Sequence, residues 1–279
     1  MSGTLFVVAT PIGNLEDLSR RGLTTLERVQ TIACEDTRRT GTLLSLLDVT
    51  RPAEQRLLAC HEHNEAEVVP QILRELRAGK DVALVSDAGT PLLSDPGYTL
   101  LQAAWQEGVN VVPVPGPSAP LALLSVCPLA AMPFLFAGFL PSKGSKRRSM
   151  LVELGQSGVA LVLFESPHRI LDCLADVALA LPPRRVFVGR EVTKKFERFY
   201  TGDPQLVAEQ LLAEDAVRGE FALVIEKSSQ ADAPQSLDGR DEKTFRLLVK
   251  ELGPSKAAKL MAQLCDMNRS ALYDLAQRW

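Results

Sequence analysis

The chain has 279 residues, 46% of them hydrophobic and 23% charged, with a net charge of −3. This is the composition of a soluble globular protein long enough to bury a large core without disulfide staples. It excludes a histone-like basic protein and an acidic disordered chain, and at first sight it speaks against nucleic acid. At roughly 100–200 residues per domain, the length predicts two domains and a small third piece.

Five widely spaced cysteines without a C-x-x-C pair, Cys34, Cys60, Cys127, Cys173 and Cys265, read as reduced thiols of a cytoplasmic protein. The first residues lack the basic and apolar regions of a signal peptide, so none is expected. Residues 108–142 carry no charge but hold seven prolines. That density breaks any continuous helix, so a buried strand, loop, short helix and strand are expected there instead of a membrane span.

Short β-branched runs alternate with amphipathic patterns. Strands are expected at 5–9, 31–34, 57–60, 81–86 and 109–114. Helices are expected from a Ser19 cap to about 30, at 37–47, 65–78 and 97–107. This alternation predicts an α/β domain with a mostly parallel sheet over 1–116. A second α/β domain with a mixed sheet is expected over 117–227, with strands at 134–139, 160–164, 185–189, 197–201 and 222–226 and a hairpin at 191–202. Residues 228–239 read as a polar linker. Residues 240–279 read as three short helices, the second starting at Ser255 and the third capped by Asn268, in a helix-turn-helix-like module.

Five loops carry candidate chemistry. Thr10-Pro11-Ile12-Gly13 follows the first strand, where ligands of open α/β sheets bind, yet it is neither a dinucleotide fingerprint nor a P-loop. Ser86-Asp87-Ala88-Gly89-Thr90-Pro91 and Ser94-Asp95-Pro96-Gly97 put two acids and two turns into twelve residues after the fourth strand. Glycine there lets a ligand lie on main chain. No Lys or Arg lies between Lys80 and Lys143, so an adenosine with a zwitterionic tail suits this loop better than a polyphosphate. Pro115-Gly116-Pro117-Ser118-Ala119-Pro120 reads as a rigid hinge into the second domain. In Phe164-Glu165-Ser166-Pro167-His168-Arg169, Ser166 and Pro167 read as a helix cap, while Glu165, His168 and Arg169 offer acid, base and anion-binding groups. Cys60-His61-Glu62-His63 reads as a polar loop at a strand end, and no metal is expected because no second ligand cluster exists.

Charge is unevenly distributed. Residues 240–279 hold eight Lys and Arg against five Asp and Glu, a net of +3 that leaves −6 on the remainder. Further basic clusters comprise Lys143, Lys146, Arg147 and Arg148, and the group Arg184, Arg185, Arg190, Lys194, Lys195 and Arg198 around the hairpin. Such patches can meet phosphate backbones.

The segments ATPIGNLEDLSRR, CEDTRRTGTLL, HEHNE, ALVSDAGTPLLSDPG, VPGPSAPLAL, GFLP, FESPHR, GREVTKKFE and GEFALVIE run in order over about 5–227. Together they resemble the ribosomal small-subunit methyltransferase I family of the tetrapyrrole-methylase (class III) superfamily. The C-terminal helices match that family's extra domain less specifically. The resemblance implies two α/β domains with a cofactor cleft between them, a small all-α module and a homodimer. It implies S-adenosylmethionine-dependent methylation of a ribose 2′-hydroxyl in 16S rRNA, on the decoding-centre cytidine numbered 1402. By motif, Pro11 lines the cofactor pocket. Ser86, Asp87, Ala88, Gly89 and Thr90 wrap the methionine and ribose portions. Ser118 and Ala119 contact the cofactor from the hinge, and Phe164 and Ala222 hold the adenine. Relatives in the wider superfamily carry Gly-Asp-Pro where this chain has Asp87-Ala88-Gly89, so the backbone contacts carry over better than that of Asp87.

A ribose hydroxyl needs a proton acceptor, for which Glu165, His168, Glu35, Asp36 and Glu191 are candidates. The Glu165/His168 pair is the favoured one. Arg38, Arg39 and Arg169 are expected to hold RNA phosphates. Two alternatives are a tetrapyrrole methyltransferase, which has no need of the basic clusters, and a non-catalytic assembly factor, which has no need of the cleft loops.

Overall fold

The computed structural model describes residues 2–228, 237, 239–265, 267 and 269–277. The chain divides into two compact units, Met1–Lys227 and Ser228–Trp279.

The first unit opens with a five-stranded sheet. Strand β1 is Thr4–Val8, β2 Thr31–Cys34, β3 Arg56–Ala59, β4 Val82–Val85 and β5 Asn110–Val114. All pairings are parallel, in the order β3-β2-β4-β1-β5. Helices α1 (Arg20–Arg28), α2 (Thr37–Leu46), α3 (Glu65–Arg77) and α4 (Tyr98–Gln106) make the crossovers. The strand sequences are nearly continuous apolar runs because both faces are covered. Along β4, Val82 and Leu84 pack into one core with Ile72 and Leu76 of α3 and Leu100 of α4. Ala83 and Val85 pack into the opposite core with Leu26 of α1 and Leu44 of α2. The Ser19 cap is made by its Oγ, which accepts from the Gly22 N–H at 3.0 Å.

A short helix α5 (Ala119–Ser125) follows the hinge. The second sheet contains β6 (Phe134–Phe139), β7 (Ala160–Glu165), β8 (Val186–Arg190), β9 (Arg198–Gly202) and β10 (Phe221–Ile225), in the order β6-β7-β10-β8-β9. Only β6 and β7 are parallel, so the sheet is mixed. Helices α6 (Gly144–Gly155), α7 (Ile170–Ala180) and α8 (Pro204–Ala213) cover one face over Leu161, Leu163, Val188 and Leu223. Leu123 of α5 covers the other face over Val162, Phe187 and Val224.

Two local readings are corrected. Ser166 does not cap α7, which starts at Ile170 after a turn in which the Ser166 carbonyl accepts from the N–H groups of Arg169 and Ile170. The hairpin consists of β8 and β9, with 191–197 as its loop. That loop is shaped by Glu191, at φ 52°, whose Oε1 accepts from the Glu220 N–H at 2.8 Å and from Lys194 Nζ at 3.0 Å. Glycine at 219 leaves the room, since a Cβ there would overlap the Glu191 carboxylate.

In the second unit, α9 (Gly239–Leu252), α10 (Pro254–Met261) and α11 (Arg269–Ala276) close on a core of Phe245, Ala257, Ala258, Met261, Leu272 and Ala276. Most of the expected linker, and the Asn268 cap, lie outside the described residues.

Candidate active site

The loops after β1 and β4 lie side by side because β1 and β4 are neighbours in the sheet. They are zipped by a two-way bridge. Thr10 N–H donates to the Gly89 carbonyl at 2.9 Å, and Gly89 N–H donates to the Thr10 carbonyl at 3.1 Å. Gly89 sits at φ +85°, a conformation that glycine takes without strain. Thr90 Oγ1 donates to the Pro117 carbonyl at 2.9 Å, tying the loop to the hinge. Farther along, Ser94 Oγ lies where a Cβ on Gly138 would stand, 2.7 Å away. Gly138, at φ +61°, follows a register shift in β6. The glycine and the irregularity therefore let the β4 loop of one sheet close onto an edge strand of the other. Gly97 N–H then donates to Glu65 Oε1 at 2.6 Å, which gives the second acid of the HEHNE segment its role.

These loops wall a cavity of about 350 Å³ between the two sheets, the size range of small-molecule sites. From the first sheet's side come Ile12, Ala88, Gly89, Thr90, Leu93, Ser94 and Asp95. The hinge supplies Ser118, Ala119 and Pro120. The second sheet's side supplies Phe139, Phe164, Glu165, Ser166, Pro167, Val192, Glu220, Phe221 and Ala222. Seven of the expected cofactor contacts thus share one cavity or its wall with Glu165: Ala88, Gly89, Thr90, Ser118, Ala119, Phe164 and Ala222.

Three expected contacts stand behind the wall. Pro11 is buried beside Ile12. Ser86 is 3% exposed, and its hydroxyl points back at the Ala88 and Gly89 carbonyls at 3.3 and 3.4 Å. Asp87 faces α2, where its Oδ2 accepts from Arg39 NH1 at 2.9 Å. The Ser118 hydroxyl is the notable exception to internal pairing. It starts α5 without capping it, is buried, and has no hydrogen-bond partner. A buried hydroxyl left unsatisfied is costly, so one facing a cavity marks a place for a polar ligand group.

The favoured catalytic pair is not assembled. Glu165 is 2% exposed, with Oε1 accepting from the Ser166 N–H at 2.8 Å and Oε2 from Arg169 NH2 at 3.0 Å. His168 is exposed and is not among the cavity-lining residues. Arg169 also donates to the Leu140 carbonyl at 2.6 Å, so it braces the wall instead of reaching for phosphate. Asp36 caps α2 and accepts from Arg38, which holds its carboxyl down at about 2.

Sequence patterning does not single out Asp95 as a site residue. It lines the cavity, and burial, reinforced by the nearby Glu35 and Asp87 carboxylates, pushes its pKa up to about 6. Glu35 is raised too, first by burial and then by Asp87. The signal available was two acids and two glycine-containing turns within twelve residues after a strand.

The basic clusters separate on inspection. Arg147 is 3% exposed, locked to Asp176 at 2.7 Å and to the Ser142 carbonyl at 3.3 Å. It is a core ion pair and is withdrawn from the RNA surface. Arg148 shares Asp176 but keeps a side-chain exposure of 46%. Lys194 is spanned by Glu191 and Glu220 at 3.0 and 2.9 Å, and Arg190 donates to the Arg218 carbonyl. Arg38 and Arg39 are exposed although paired with Asp36 and Asp87, and Lys143, Lys146 and Lys195 are exposed. Among the described residues no group of three or more His, Cys, Asp or Glu is placed to hold a metal. None of their helices is long and apolar enough to cross a membrane.

Comparison with known proteins agrees with this geometry. Residues 4–206 match the family of Tetrapyrrole (Corrin/Porphyrin) Methylases, and residues 235–279 match the RsmI C-terminal HTH domain. The Ribosomal RNA small subunit methyltransferase I of Xylella fastidiosa is 44% identical, covering 97% of this chain and 98% of that protein. The Haemophilus influenzae protein of the same name is 39% identical, over 98% and 96%. Among solved structures, diphthine synthase aligns with a TM-score of 0.60 at 14% identity, covering 80% of this chain and 90% of that one. Uroporphyrin-III C-methyl transferase from Thermus thermophilus, complexed with S-adenosyl homocysteine, aligns at 0.54 and 18%, over 80% and 97%. At those identities the structures speak for the fold alone, whereas the sequence relatives span nearly the whole of both chains. The chain belongs to the tetrapyrrole methylase family and, within it, to the ribosomal RNA small subunit methyltransferase I family.

Proposed function

We propose that this chain is an S-adenosylmethionine-dependent methyltransferase that modifies the ribose 2′-hydroxyl of the cytidine numbered 1402 in 16S rRNA. The near full-length likeness to the ribosomal RNA methyltransferases supports the substrate class. The observation that carries the cofactor reading is the partnerless Ser118 hydroxyl in the wall between the sheets.

The residues present fit S-adenosylmethionine. Ser118 can donate to its carboxylate, and the bared main chain at Ala88, Gly89 and Thr90 can lie along its methionine and ribose portions. Phe164 and Ala222 offer an apolar slot for adenine. When bound, the sulfonium supplies an activated methyl group. What the protein adds is alignment, which in well-oriented systems lowers barriers by about 7–11 kcal/mol. The clamped β4 loop holds the two walls in register for that purpose, and the Glu165–Arg169 pair braces the second sheet's wall. Exposed Lys143, Lys146, Arg148, Lys195, Arg38 and Arg39 are the candidates for phosphate contacts. We further propose a homodimer working in the cytoplasm, on the family resemblance and the reduced-thiol composition. Light scattering on the purified full chain tests the dimer.

The test of function is methyl transfer to small ribosomal subunits from cells lacking this protein, with ribose methylation mapped along the 16S rRNA. Modification at that single cytidine is expected. Labelling of a base, or of a free tetrapyrrole in preference to the subunit, overturns the reading.

A further inference from the structure

Three carboxylates line the cavity: Asp95, Glu165 and Glu220. Glu165 has both oxygens committed, to the Ser166 N–H and to Arg169. Glu220 pairs with Lys194 and its side chain is 79% exposed. Asp95 is half-buried and has no cationic partner among the described residues. Its loop is held out of ordinary backbone space, with Leu92 at φ 73°, Ser94 at φ 74° and Gly97 at φ 116°. Non-glycine residues in that region are strained and persist only where the surroundings enforce them. Here the enforcing contacts are the Thr90–Pro117 bond before the strained residues, Ser94 against Gly138, and the Gly97–Glu65 bond after them. They fix Asp95 where the two sheets come together.

We propose that Asp95 is the catalytic proton acceptor of this site. The inference rests on the ribose-methylation reading above. As the ribose oxygen forms its bond to the methyl carbon, the carbon–sulfur bond of the donor breaks and its electron pair stays on sulfur. The hydroxyl proton passes to the Asp95 carboxylate. The products are the methyl ether, the neutral thioether and the protonated acid, which returns its proton to water after the products leave. No further reactant is required.

The surroundings of Asp95 suit the task. Burial is opposed by the Ser86 hydroxyl at the end of β4, which hydrogen-bonds the carboxylate and favours its charged form, while Glu35 and Asp87 add negative charge from the loops after β2 and β4. Asp87 is partly neutralised by Arg39. Across the cavity the facing charges are the Glu165–Arg169 and Glu220–Lys194 pairs. The result is a base whose pKa, pushed up by burial to about 6, approaches neutrality, where general bases work best.

The experiment uses the full chain with S-adenosylmethionine and unmodified small subunits, under single-turnover conditions from pH 5 to 8. For the wild type the rate is expected to rise with pH and level off above about 6. Asp95→Asn should lose about 10²–10⁴-fold in rate together with the pH dependence, while calorimetry shows unchanged S-adenosylmethionine affinity. Asp95→Glu should recover part of the rate, and Glu35→Gln should move the inflection to lower pH without removing it. Retention of rate and profile by Asp95→Asn overturns the proposal. So does parallel loss of S-adenosylmethionine binding, which would make Asp95 a cofactor-holding residue. If the wild type binds S-adenosylmethionine but methylates no ribose, it is the functional reading that falls, and the acceptor role with it.

Discussion

Ser118 and Asp95 are both polar residues with spare bonding capacity in the cavity wall, and each makes its own prediction. A hydroxyl donating to a charged carboxylate is worth about 1.5–3 kcal/mol, so Ser118→Ala should weaken S-adenosylmethionine binding roughly ten- to hundredfold by calorimetry, while the thermal midpoint of the unliganded protein rises because an unsatisfied buried hydroxyl is removed. Asp95 should couple stability to pH. Its folded pKa, about 6, lies above the ordinary aspartate value. The folded state therefore resists ionisation, and a destabilisation sets in as pH rises through the unfolded value and is complete above about 6. Asp95→Asn removes it. The variant should melt above the wild type at pH 8, with the gap closing by about pH 4. A constant gap across that range would contradict the burial of this carboxyl.

Elements explain why some motifs were legible and others misread. The central strands of the first sheet were visible because both faces are buried and the runs are apolar, as in Val82–Val85, and the edge strands Arg56–Ala59 and Asn110–Val114 were visible as short apolar runs that start on an exposed polar residue. The mixed sheet was also visible as strands. The register shift within β6 before Gly138 was not, because what it accommodates is Ser94, a residue distant in the chain. The cofactor loops could be read as loops, yet which side chains face inward depends on left-handed residues such as Ser94 that no pattern marks. Arg147 misled for a related reason: a basic run on a helix looks solvated until Asp176 from α7 is brought beneath it. Truncating one member of such a buried pair costs about 3–5 kcal/mol. Arg147→Ala should accordingly lower the urea midpoint sharply, whereas Lys143→Ala/Lys146→Ala should leave it in place and weaken RNA binding. At the cleft, Gly138→Ala should force the Ser94 loop away, reducing S-adenosylmethionine affinity more than stability. Equal loss of both would show that the glycine serves packing alone.

Over the whole molecule, a net charge of −3 conceals a division that the fold makes physical. The body that carries the cavity is acidic in sum, while exposed lysines and arginines gather on α6, on α2 and in the loop between β8 and β9, and residues 240–279 carry a net +3. Each phosphate neutralised contributes about −0.9 to the slope of log K against log salt for duplexes and about −0.7 for single strands. Binding to the small subunit should thus weaken steeply with salt, and Lys143→Ala/Lys146→Ala should flatten the slope by between one and two. The most direct test of the account as a whole is a map of ribose methylation on 16S rRNA from cells with and without this protein. The account predicts that the single 2′-O-methyl mark on cytidine 1402 disappears with the protein and returns with it. It is contradicted if that mark persists in its absence.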